Sequence, residues 1–303
     1  MAKLTLNYLQ TNLHFSQVSK LLFLDYYSIS DYLKTFYSNN QKQYDSLTSV
    51  FSYQQTLQYT IEQWEFETSL NQQLRSQFTY PLILYVIMYF LLGFFTIFLI
   101  PTLLSMIFLF DLEITSIQIG QTLLKFIFYV FTFLNILVVS IIVRYSNKEK
   151  LKIFISTNHQ RTYFVLFKKI ITQKFASLYS ILVKYGLSTK QSLEIMKNGS
   201  SSYLVSWIAL LVTYRLEEGS DFVTSFNDNF LDSHFNQILS LASKNNQLIS
   251  LLDSYLASNQ QIITMYITKV SRIVKMIIYL VLGFLIIYLY QILLTPMSLM
   301  GTL

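Results

Sequence analysis

The chain has 303 residues, of which 53% are hydrophobic and 13% are charged, and it contains no cysteine. Soluble domains carry about a quarter charged residues, so this composition indicates a membrane protein. The lack of cysteine excludes disulfide frameworks, thiolate metal sites and cysteine nucleophiles. The net charge of +6 does not by itself indicate nucleic-acid binding, because the lysines lie in no recognisable nucleic-acid-binding motif.

The first 79 residues predict a helical domain outside the membrane. It contains the phrase HFSQVSKL, at residues 14–21, followed by a polar stretch rich in Tyr and Asn. A Gln-rich amphipathic run over about 42–78 then predicts one long helix that leads into the membrane. We interpret the tyrosines of this domain as helix-face packing rather than as a partner-binding surface. They are Tyr26, Tyr27, Tyr32, Tyr37, Tyr44, Tyr53 and Tyr59. Residues 1–20 lack the charged-then-apolar pattern of a signal peptide.

Three stretches without a charged side chain predict membrane spans. They cover residues 76–110, 126–143 and 276–303. A bilayer core about 30 Å thick requires roughly 20 mostly apolar helical residues, and each stretch is long enough or nearly so. The predicted spans are 80–103, 123–144 and 274–295, with a short loop at 104–122 and a tail at 296–303. Pro101 and Pro296 lie near span ends, where we expect them to terminate helices.

The distribution of Lys and Arg predicts the orientation in the membrane. The loop between the first two spans has Asp111 and Glu113 but no Lys or Arg, whereas basic residues follow the second span and precede the third. These basic residues are Arg144, Lys148, Lys150, Lys152, Arg161, Lys168, Lys169, Lys269, Arg272 and Lys275. We therefore predict a multi-pass protein of the cell membrane, with the N-terminus and residues 145–273 in the cytoplasm and the C-terminus outside.

Residues 145–273 predict an antiparallel bundle of about six helices. The predicted helices are 168–186, about 188–197, about 202–217, one starting at 220–222, one at 234–241, and one from Leu248 into the third span. Gly186 and Gly219 are natural stop residues after the first and third of these helices. Ser188 and Gln191 form a capping box at the start of the second. Strands are not predicted, because β-branched runs bounded by turns are lacking.

A repeated phrase connects the two helical domains. HFNQILSL, at residues 234–241, matches HFSQVSKL in its His, Phe, Gln and final Leu. In both domains we expect the order to be phrase, turn, long helix and membrane. Almost nothing precedes the first phrase, whereas four predicted helices precede the second. We infer two copies of one domain, of which the first is truncated.

This order of segments resembles the type II secretion F-protein family, which includes the membrane platform proteins of type IV pili and of the competence pilus of Gram-positive bacteria. The first span of that family opens with a Tyr-Pro pair and ends in a proline, and its last span ends at a Pro-Met-like pair. Glycines follow two helices of its second cytoplasmic domain. The matching residues here are Tyr80, Pro81, Pro101, Gly186, Gly219, Pro296 and Met297.

The resemblance implies an all-α membrane protein that acts as a platform without being an enzyme. It implies docking on a separate assembly ATPase, contact with major and minor pilin-like proteins in the lipid bilayer, and a homo-oligomer. Competence-type DNA uptake is the favoured system, with a type II secretion or other type IV pilus system as the alternative. We choose the basic flank 144–174 and the face of 168–222 as the candidate docking surface. Its candidate residues are Lys168, Lys169, Lys174, Lys184, Glu217, Glu218 and Asp221.

Motifs for phosphate, dinucleotide and metal binding are missing from the sequence. The phosphate-binding G-x-x-x-x-G-K-[ST], the G-x-G-x-x-G turn and the metal-binding H-E-x-x-H are all missing, so we predict no catalytic, cofactor or metal site and no sequence-specific nucleic-acid binding. We interpret His14 and His234 as helix-start or packing residues, and the carboxylates around Glu217 as helix-end groups.

The span cores contain no charged side chain, which argues against an ion-coupled transporter. A transporter would also predict polar pairs within the membrane, and the sequence alone shows none. Thr132, Asn135 and Ser140 should hydrogen-bond a neighbouring helix rather than a substrate. A transporter component or a membrane scaffold remains the further alternative.

Overall fold

The computed structural model describes residues 2–11, 13–26, 28–38, 40–108, 115–145, 165–199, 202–227, 230–245 and 247–300. All regular secondary structure in these residues is helical, which confirms the all-α prediction. The helices of the first half are α1 (Ala2–Gln10), α2 (Phe15–Leu21), α3 (Ile29–Phe36), α4 (Gln41–Thr48), α5 (Tyr53–Phe94), a π-helical segment (Phe95–Leu99), α6 (Ile100–Phe108) and α7 (Thr115–Tyr145). Those of the second half are α8 (Val165–Lys184), α9 (Thr189–Gly199), α10 (Tyr203–Glu217), α11 (Phe222–Phe226), α12 (Ser233–Asn245) and α13 (Leu248–Met300).

The chain divides into two compact units, each assembled from separate parts of the sequence. The first unit comprises Met1–Gln72 and Lys152–Thr264, and the second comprises Gln73–Leu151 and Met265–Leu303. Most of the residues predicted as two separate helical domains therefore belong to one unit.

One hydrophobic core fills the first unit. Both parts of the sequence contribute to it, with Leu33, Leu47 and Leu57 from the N-terminal helices and Phe175 and Phe235 from the later ones, all fully buried. Polar and ring contacts reinforce this shared core. The Tyr185 hydroxyl, at the end of α8, donates a hydrogen bond of 3.0 Å to Glu62 Oε1 on α5. The Tyr185 ring lies 5.4 Å from the Phe51 ring, centroid to centroid.

The predicted tyrosine packing is present in this unit. Tyr32, Tyr37, Tyr44 and Tyr59 are all buried in its core. The interpretation as packing is confirmed for these four side chains. Tyr53 is exposed, and Tyr27 lies outside the described residues.

The prediction of a single long helix over 42–78 is wrong. The structure has α4 and α5 there, separated by a break at Ser49–Ser52. A capping box causes the break, because the Ser52 N–H donates to Gln55 Oε1 (3.1 Å) and the Gln55 N–H donates to Ser52 Oγ (3.3 Å). These two bonds satisfy backbone donors that a new helix start leaves without a partner.

The stop and start signals of α8, α9 and α10 are confirmed. Gly186 and Gly219 have φ of 81° and 86°, in the left-handed region that glycine occupies without strain. After α8, the Leu187 N–H bonds to the Leu182 carbonyl and the Gly186 N–H to the Val183 carbonyl, which is the Schellman arrangement. The predicted Ser188–Gln191 capping box then opens α9.

The two copies of the repeated phrase are both helical and bury the same face. In α2 the side chains turned inward are Phe15, Val18 and Ser19, and in α12 they are the equivalent Phe235, Ile238 and Leu239. The expected order is wrong for the first copy, because α3 and α4 stand between α2 and the long helix α5. In the second copy α12 leads directly to α13.

Among the described residues, three helical stretches are long and apolar enough to cross a membrane: Tyr53–Ser105, Gln118–Ile141 and Leu248–Leu294. They contain the three predicted spans nearly in full. In the second unit they pack around one apolar core, which includes Met88, Leu92, Leu124, Ile278 and Leu285. In the most apolar part of the middle stretch only 6% of the residues are buried, against 22% and 28% in the other two. The helix α7 therefore leaves most of its apolar side chains exposed on the surface of the unit.

Two boundaries of the membrane segments differ from the prediction. Pro101 does not terminate a helix, because α6 continues through it to Phe108. Proline cannot donate the hydrogen bond that an α-helix needs at this point, and the π-helical segment Phe95–Leu99 lies directly before it. The loop predicted at 104–122 is mostly helical, since α6 and α7 extend into it. Only residues 109–114 separate them, and these lie outside the described residues.

Candidate functional site

The predicted docking face is split between two parts of the first unit. Its lysines, Lys168, Lys169, Lys174 and Lys184, lie along α8, and its acidic residues, Glu217, Glu218 and Asp221, lie at the turn between α10 and α11. The two groups have different environments.

Lys169 belongs to a nearly buried ion pair. Its Nζ lies 2.8 Å from Asp232 Oδ2, and the two side chains are only 12% and 14% exposed. Asp232 immediately precedes α12, and its backbone N–H donates to Thr172 Oγ1 on α8 at 2.9 Å. Lys169 and Thr172 are three residues apart and therefore lie on one face of α8. The charge of Lys169 is thus used inside the unit to fix α12 against α8.

A network of carboxamides continues from this ion pair to α13. Asn259 Nδ2 donates to the Lys169 carbonyl (3.0 Å) and to Gln173 Oε1 (2.8 Å). Gln173 Nε2 in turn donates to the Leu256 carbonyl (3.1 Å) and to Gln260 Oε1 (3.2 Å). Gln173 and Asn259 are buried, and a buried amide is costly unless its groups find such partners. The network therefore specifies one register between α8 and α13.

Lys184 forms a second ion pair at the other end of α8. Its Nζ lies 2.8 Å from Asp253 on α13, but here the side chains are 44% and 47% exposed. Ser180 Oγ donates to the same carboxylate oxygen at 3.3 Å. Of the other two lysines, Lys168 and Lys174 are half-buried. Lys169 and Lys184 are thus already paired within the unit.

The acidic turn is the exposed part of the predicted face. Glu217, Glu218 and Asp221 are all exposed. Asp221 caps α11, because the Val223 N–H donates to its Oδ2 at 3.3 Å. Glu218 accepts from the Tyr214 hydroxyl and raises the pKa of that hydroxyl. Asp221 therefore behaves as the helix-end group that its position predicts. Among the described residues, no group of three or more His, Cys, Asp and Glu could hold a metal ion.

The second unit contains hydrogen-bonded polar pairs between its apolar helices, which the sequence alone did not reveal as pairs. Asn135 Nδ2 on α7 donates to the Tyr85 hydroxyl on α5 at 2.7 Å. The Thr132 and Tyr89 hydroxyls are 3.1 Å apart. Both pairs are uncharged and join neighbouring helices, as expected of Thr132 and Asn135.

The family-motif residues of the membrane segments lie inside helices rather than at their ends. Pro81 is buried within α5, next to the exposed Tyr80. Pro296 and Met297 lie within α13, which continues to Met300.

The sequence did not point to Asp232, Gln173 or Asn259. A signal was present for two of them. Gln173 stands between Ile171 and Phe175 of the apolar pattern of α8, and Asn259 stands in a continuous polar run, SNQQ at 258–261, of α13. An amide on a buried helix face requires a partner, so the sequence indicates that each is hydrogen-bonded but does not identify the partner. Asp232 had no comparable signal, because a short Asp-Ser sequence before a helix is also an ordinary cap.

These elements define a class: an all-helical protein with three helices fit to cross a membrane and a helical unit built from two separate segments. Comparison with protein-family models, with curated proteins and with solved structures finds no match to this chain.

Proposed function

We propose that this chain is the membrane platform of a pilus-like apparatus for DNA uptake. In this role it is not an enzyme: a separate assembly ATPase binds the first unit in the cytoplasm, and pilin-like subunits reach the growing fibre from the bilayer around the second unit. The same mechanics would serve a type II secretion system or another type IV pilus, which is the alternative.

The observation that supports the proposal most is the distribution of the helical unit along the chain. Residues before the first apolar helix and residues between the second and third build one unit with one core. Each part contains a copy of the repeated phrase, and both copies bury the same helix face. This is the order of segments on which the resemblance to the F-protein family is based.

The acidic turn is the part of the docking face that we assign to the ATPase. Glu217, Glu218 and Asp221 are exposed, whereas Lys169 and Lys184 are paired with carboxylates of their own unit. An exposed acidic turn favours a basic surface on the partner, since complementary potentials steer association.

Co-purification with the ATPase tests this assignment. The variant Glu217→Lys/Glu218→Lys should lose most of the bound ATPase, with a stronger effect at low salt. The matched control is Asp25→Lys/Glu194→Lys, which reverses two exposed carboxylates elsewhere in the same unit. If both variants retain the ATPase equally, the docking surface is wrongly assigned.

A gene-deletion strain tests the function itself. Loss of transformation with normal growth, restored by the full-length chain, is the expected result. Unchanged transformation would refute the DNA-uptake role, and the same strain assayed for protein secretion and surface pili would then test the alternative. The transporter alternative predicts solute flux in vesicles reconstituted with the purified protein.

Orientation can be measured directly, because the chain contains no cysteine and a single introduced cysteine is labelled without background. Ser243→Cys, on the exposed surface of α12, should react with a membrane-impermeant maleimide only after the cells are opened. Thr302→Cys should react in intact cells. The opposite pattern would contradict the predicted orientation.

A further inference from the structure

Four cations lie on two contacting helices of the second unit. Arg75 lies on α5, and Lys269, Arg272 and Lys275 lie on α13, each just before the charge-free stretch of its helix. Arg75, Lys269 and Arg272 are exposed, and Lys275 is half-buried. No Asp or Glu occurs in α5 after Glu67 or in α13 after Asp253. The two helices therefore bring these positive charges into the second unit without carboxylates of their own.

Contacts between α5 and α13 place these cations at one level. Ser271 Oγ donates to the Gln77 carbonyl at 3.4 Å, and the Tyr80 and Tyr279 hydroxyls are 3.2 Å apart. Later residues of α5 thus meet later residues of α13, so the two helices run in the same direction here. Arg75 lies two residues before Gln77, as Lys269 lies two residues before Ser271. All four cations consequently lie within about two helical turns of the same end.

Within the described residues, the ion pairs are Lys3–Glu65, Lys34–Asp31, Lys169–Asp232 and Lys184–Asp253, and none of them includes a member of this cluster. Like charges held together repel one another, and a bound anion relieves that repulsion. An anionic ligand would therefore find uncompensated positive charge at this position.

Two tyrosines supply a donor beside the cations. Lys275 Nζ lies 4.8 Å from the centroid of the Tyr80 ring, a cation–π contact that holds the ammonium near the Tyr80–Tyr279 hydroxyl pair. When two hydroxyls share one hydrogen bond, the second proton remains available. Both tyrosines are exposed. One phenolic O–H can therefore donate to an oxygen of an anion bound by the cations.

The surface next to the cations is apolar. Ile273, Met276 and Ile277 of α13 are all exposed beside Arg272 and Lys275. An anion that carries hydrocarbon chains matches both halves of this surface, whereas a free inorganic anion matches only the cations. Tyr residues beside Lys and Arg are also the usual composition of a helix at the headgroup level of a bilayer.

We propose that Arg75, Lys269, Arg272, Lys275, Tyr80 and Tyr279 form a binding site for the phosphate headgroup of an anionic phospholipid. The cations neutralise the phosphate, a tyrosine hydroxyl donates to it, and the acyl chains lie along the exposed apolar side of α13. The site depends on the protein lying in a membrane and not on the pilus function, so either proposal can fail without the other.

Lipid titration of the purified full-length protein tests the site. The protein is delipidated in a neutral detergent and titrated with phosphatidylglycerol or phosphatidylcholine, and bound lipid is counted by native mass spectrometry. We expect the wild type to prefer phosphatidylglycerol. Arg272→Gln/Lys275→Gln should weaken that binding by about 30-fold, since each basic residue near a lipid surface contributes about a factor of five. Binding of phosphatidylcholine should not change.

Two control variants make the result specific. Lys190→Gln/Lys244→Gln removes two exposed lysines of the first unit and should bind phosphatidylglycerol like the wild type. Arg272→Lys/Lys275→Arg keeps both charges and should retain most of the affinity. The site is refuted if Arg272→Gln/Lys275→Gln binds phosphatidylglycerol as well as the wild type does.

Two further measurements use only the wild-type protein, so they do not depend on whether a variant folds. Equal binding of phosphatidylglycerol and phosphatidylcholine would refute an anion site. Displacement of bound phosphatidylglycerol by inorganic phosphate at equal concentration would show that the acyl chains contribute nothing, which would overturn the assignment to a lipid. Retention of the lipid under that competition supports it.

Discussion

The Lys169–Asp232 ion pair offers the sharpest test of how the first unit is held together. Lys169→Met removes the cation and leaves the Asp232 carboxylate nearly buried without a counter-charge. Removing one partner of a buried ion pair costs about 3–5 kcal/mol. Because these two side chains retain 12% and 14% exposure, some water reaches the orphaned carboxylate. We therefore expect a somewhat smaller cost, about 2–4 kcal/mol of unfolding free energy.

The chain supplies a matched control for this change. Lys184 and Asp253 are also 2.8 Å apart and also involve α8, but they are 44% and 47% exposed. Exposed ion pairs contribute about 0–1 kcal/mol, so Lys184→Met should cost no more than that. The two substitutions remove the same chemical group from the same helix, and they differ chiefly in burial and in the buried network around Lys169.

The assay can be confined to the first unit. The chain has two tryptophans, Trp64 and Trp207, and both lie in that unit. Trp207 packs against the core, with its ring 4.7 Å from the Phe230 ring, so its fluorescence reports unfolding there. Denaturant titrations of the full-length protein in mild detergent then give the free energies. The double variant Lys169→Met/Asp232→Asn should cost less than the sum of its single changes. The reasoning is refuted if Lys169→Met costs no more than Lys184→Met, or if the double variant is fully additive.

Three further predictions follow from other contacts. Burial raises the pKa of Tyr37 from 10.0 to about 12. The contribution of this side chain to the free energy of unfolding is therefore complete below pH 10 and is lost as pH rises from 10 towards 12. Tyr37→Phe should reduce the slope of that fall by about 1.4 kcal/mol per pH unit. An unchanged slope in fluorescence-detected unfolding would contradict this. Gly186→Ala should lower the free energy of unfolding by about 1 kcal/mol, because Gly186 has a φ of 81° that alanine adopts only with strain. Gly283→Ala should be neutral or stabilising, because an added Cβ in α13 meets nothing within 4 Å. Thermal melting followed by circular dichroism measures both variants, and equal changes in stability would contradict backbone strain as the cause. Asn135→Leu should destabilise the second unit by about 0.6 kcal/mol, because the hydrogen bond to the Tyr85 hydroxyl is lost. Adding Tyr85→Phe to the Asn135→Leu variant should then cost little more. If the costs of the two single substitutions add fully in the double variant, the two residues act separately.

The helices of the second half were predictable because their boundaries carry explicit chemical signals. Gly186 and Gly219 stop α8 and α10, and Ser188 with Gln191 starts α9. Each signal is a local hydrogen-bonding requirement, so tertiary structure did not change its outcome. The long charge-free stretches were equally direct, since their length alone decides whether they can cross a bilayer.

The N-terminal half was harder because its boundaries use less conspicuous residues. The helix α2 ends in the same arrangement as α8, but Phe23, with φ of 51°, occupies the position that glycine has elsewhere. The break before α5 depends on Ser52 and Gln55, a capping box of the same form as Ser188–Gln191 in a stretch whose Ser and Gln content hides it. The motif itself has the same spacing in both places, Ser followed by Gln three residues later.

The buried network was beyond prediction for a different reason. Lys169, Asp232 and Asn259 are far apart in sequence, and their pairing depends on the packing of α8, α12 and α13. Periodicity marks which helix faces are buried, but it does not specify which polar groups will meet there. Lys169 was consequently placed on a docking face, and the structure gives it an internal partner instead.

The composition of the first unit from two distant segments has a consequence for biosynthesis. The helices α1 to α4 are short, and helices of this length are marginal by themselves in water. Their core side chains, such as Leu33 and Leu47, belong to a core that also includes residues beyond 164. At ribosomal rates, roughly 10–40 s separate the synthesis of residue 72 from that of residue 264. During this interval two apolar helices leave the ribosome while the N-terminal segment still exposes its unfinished core. The core of the N-terminal segment is therefore completed only after α8 and the helices that follow it have been synthesised.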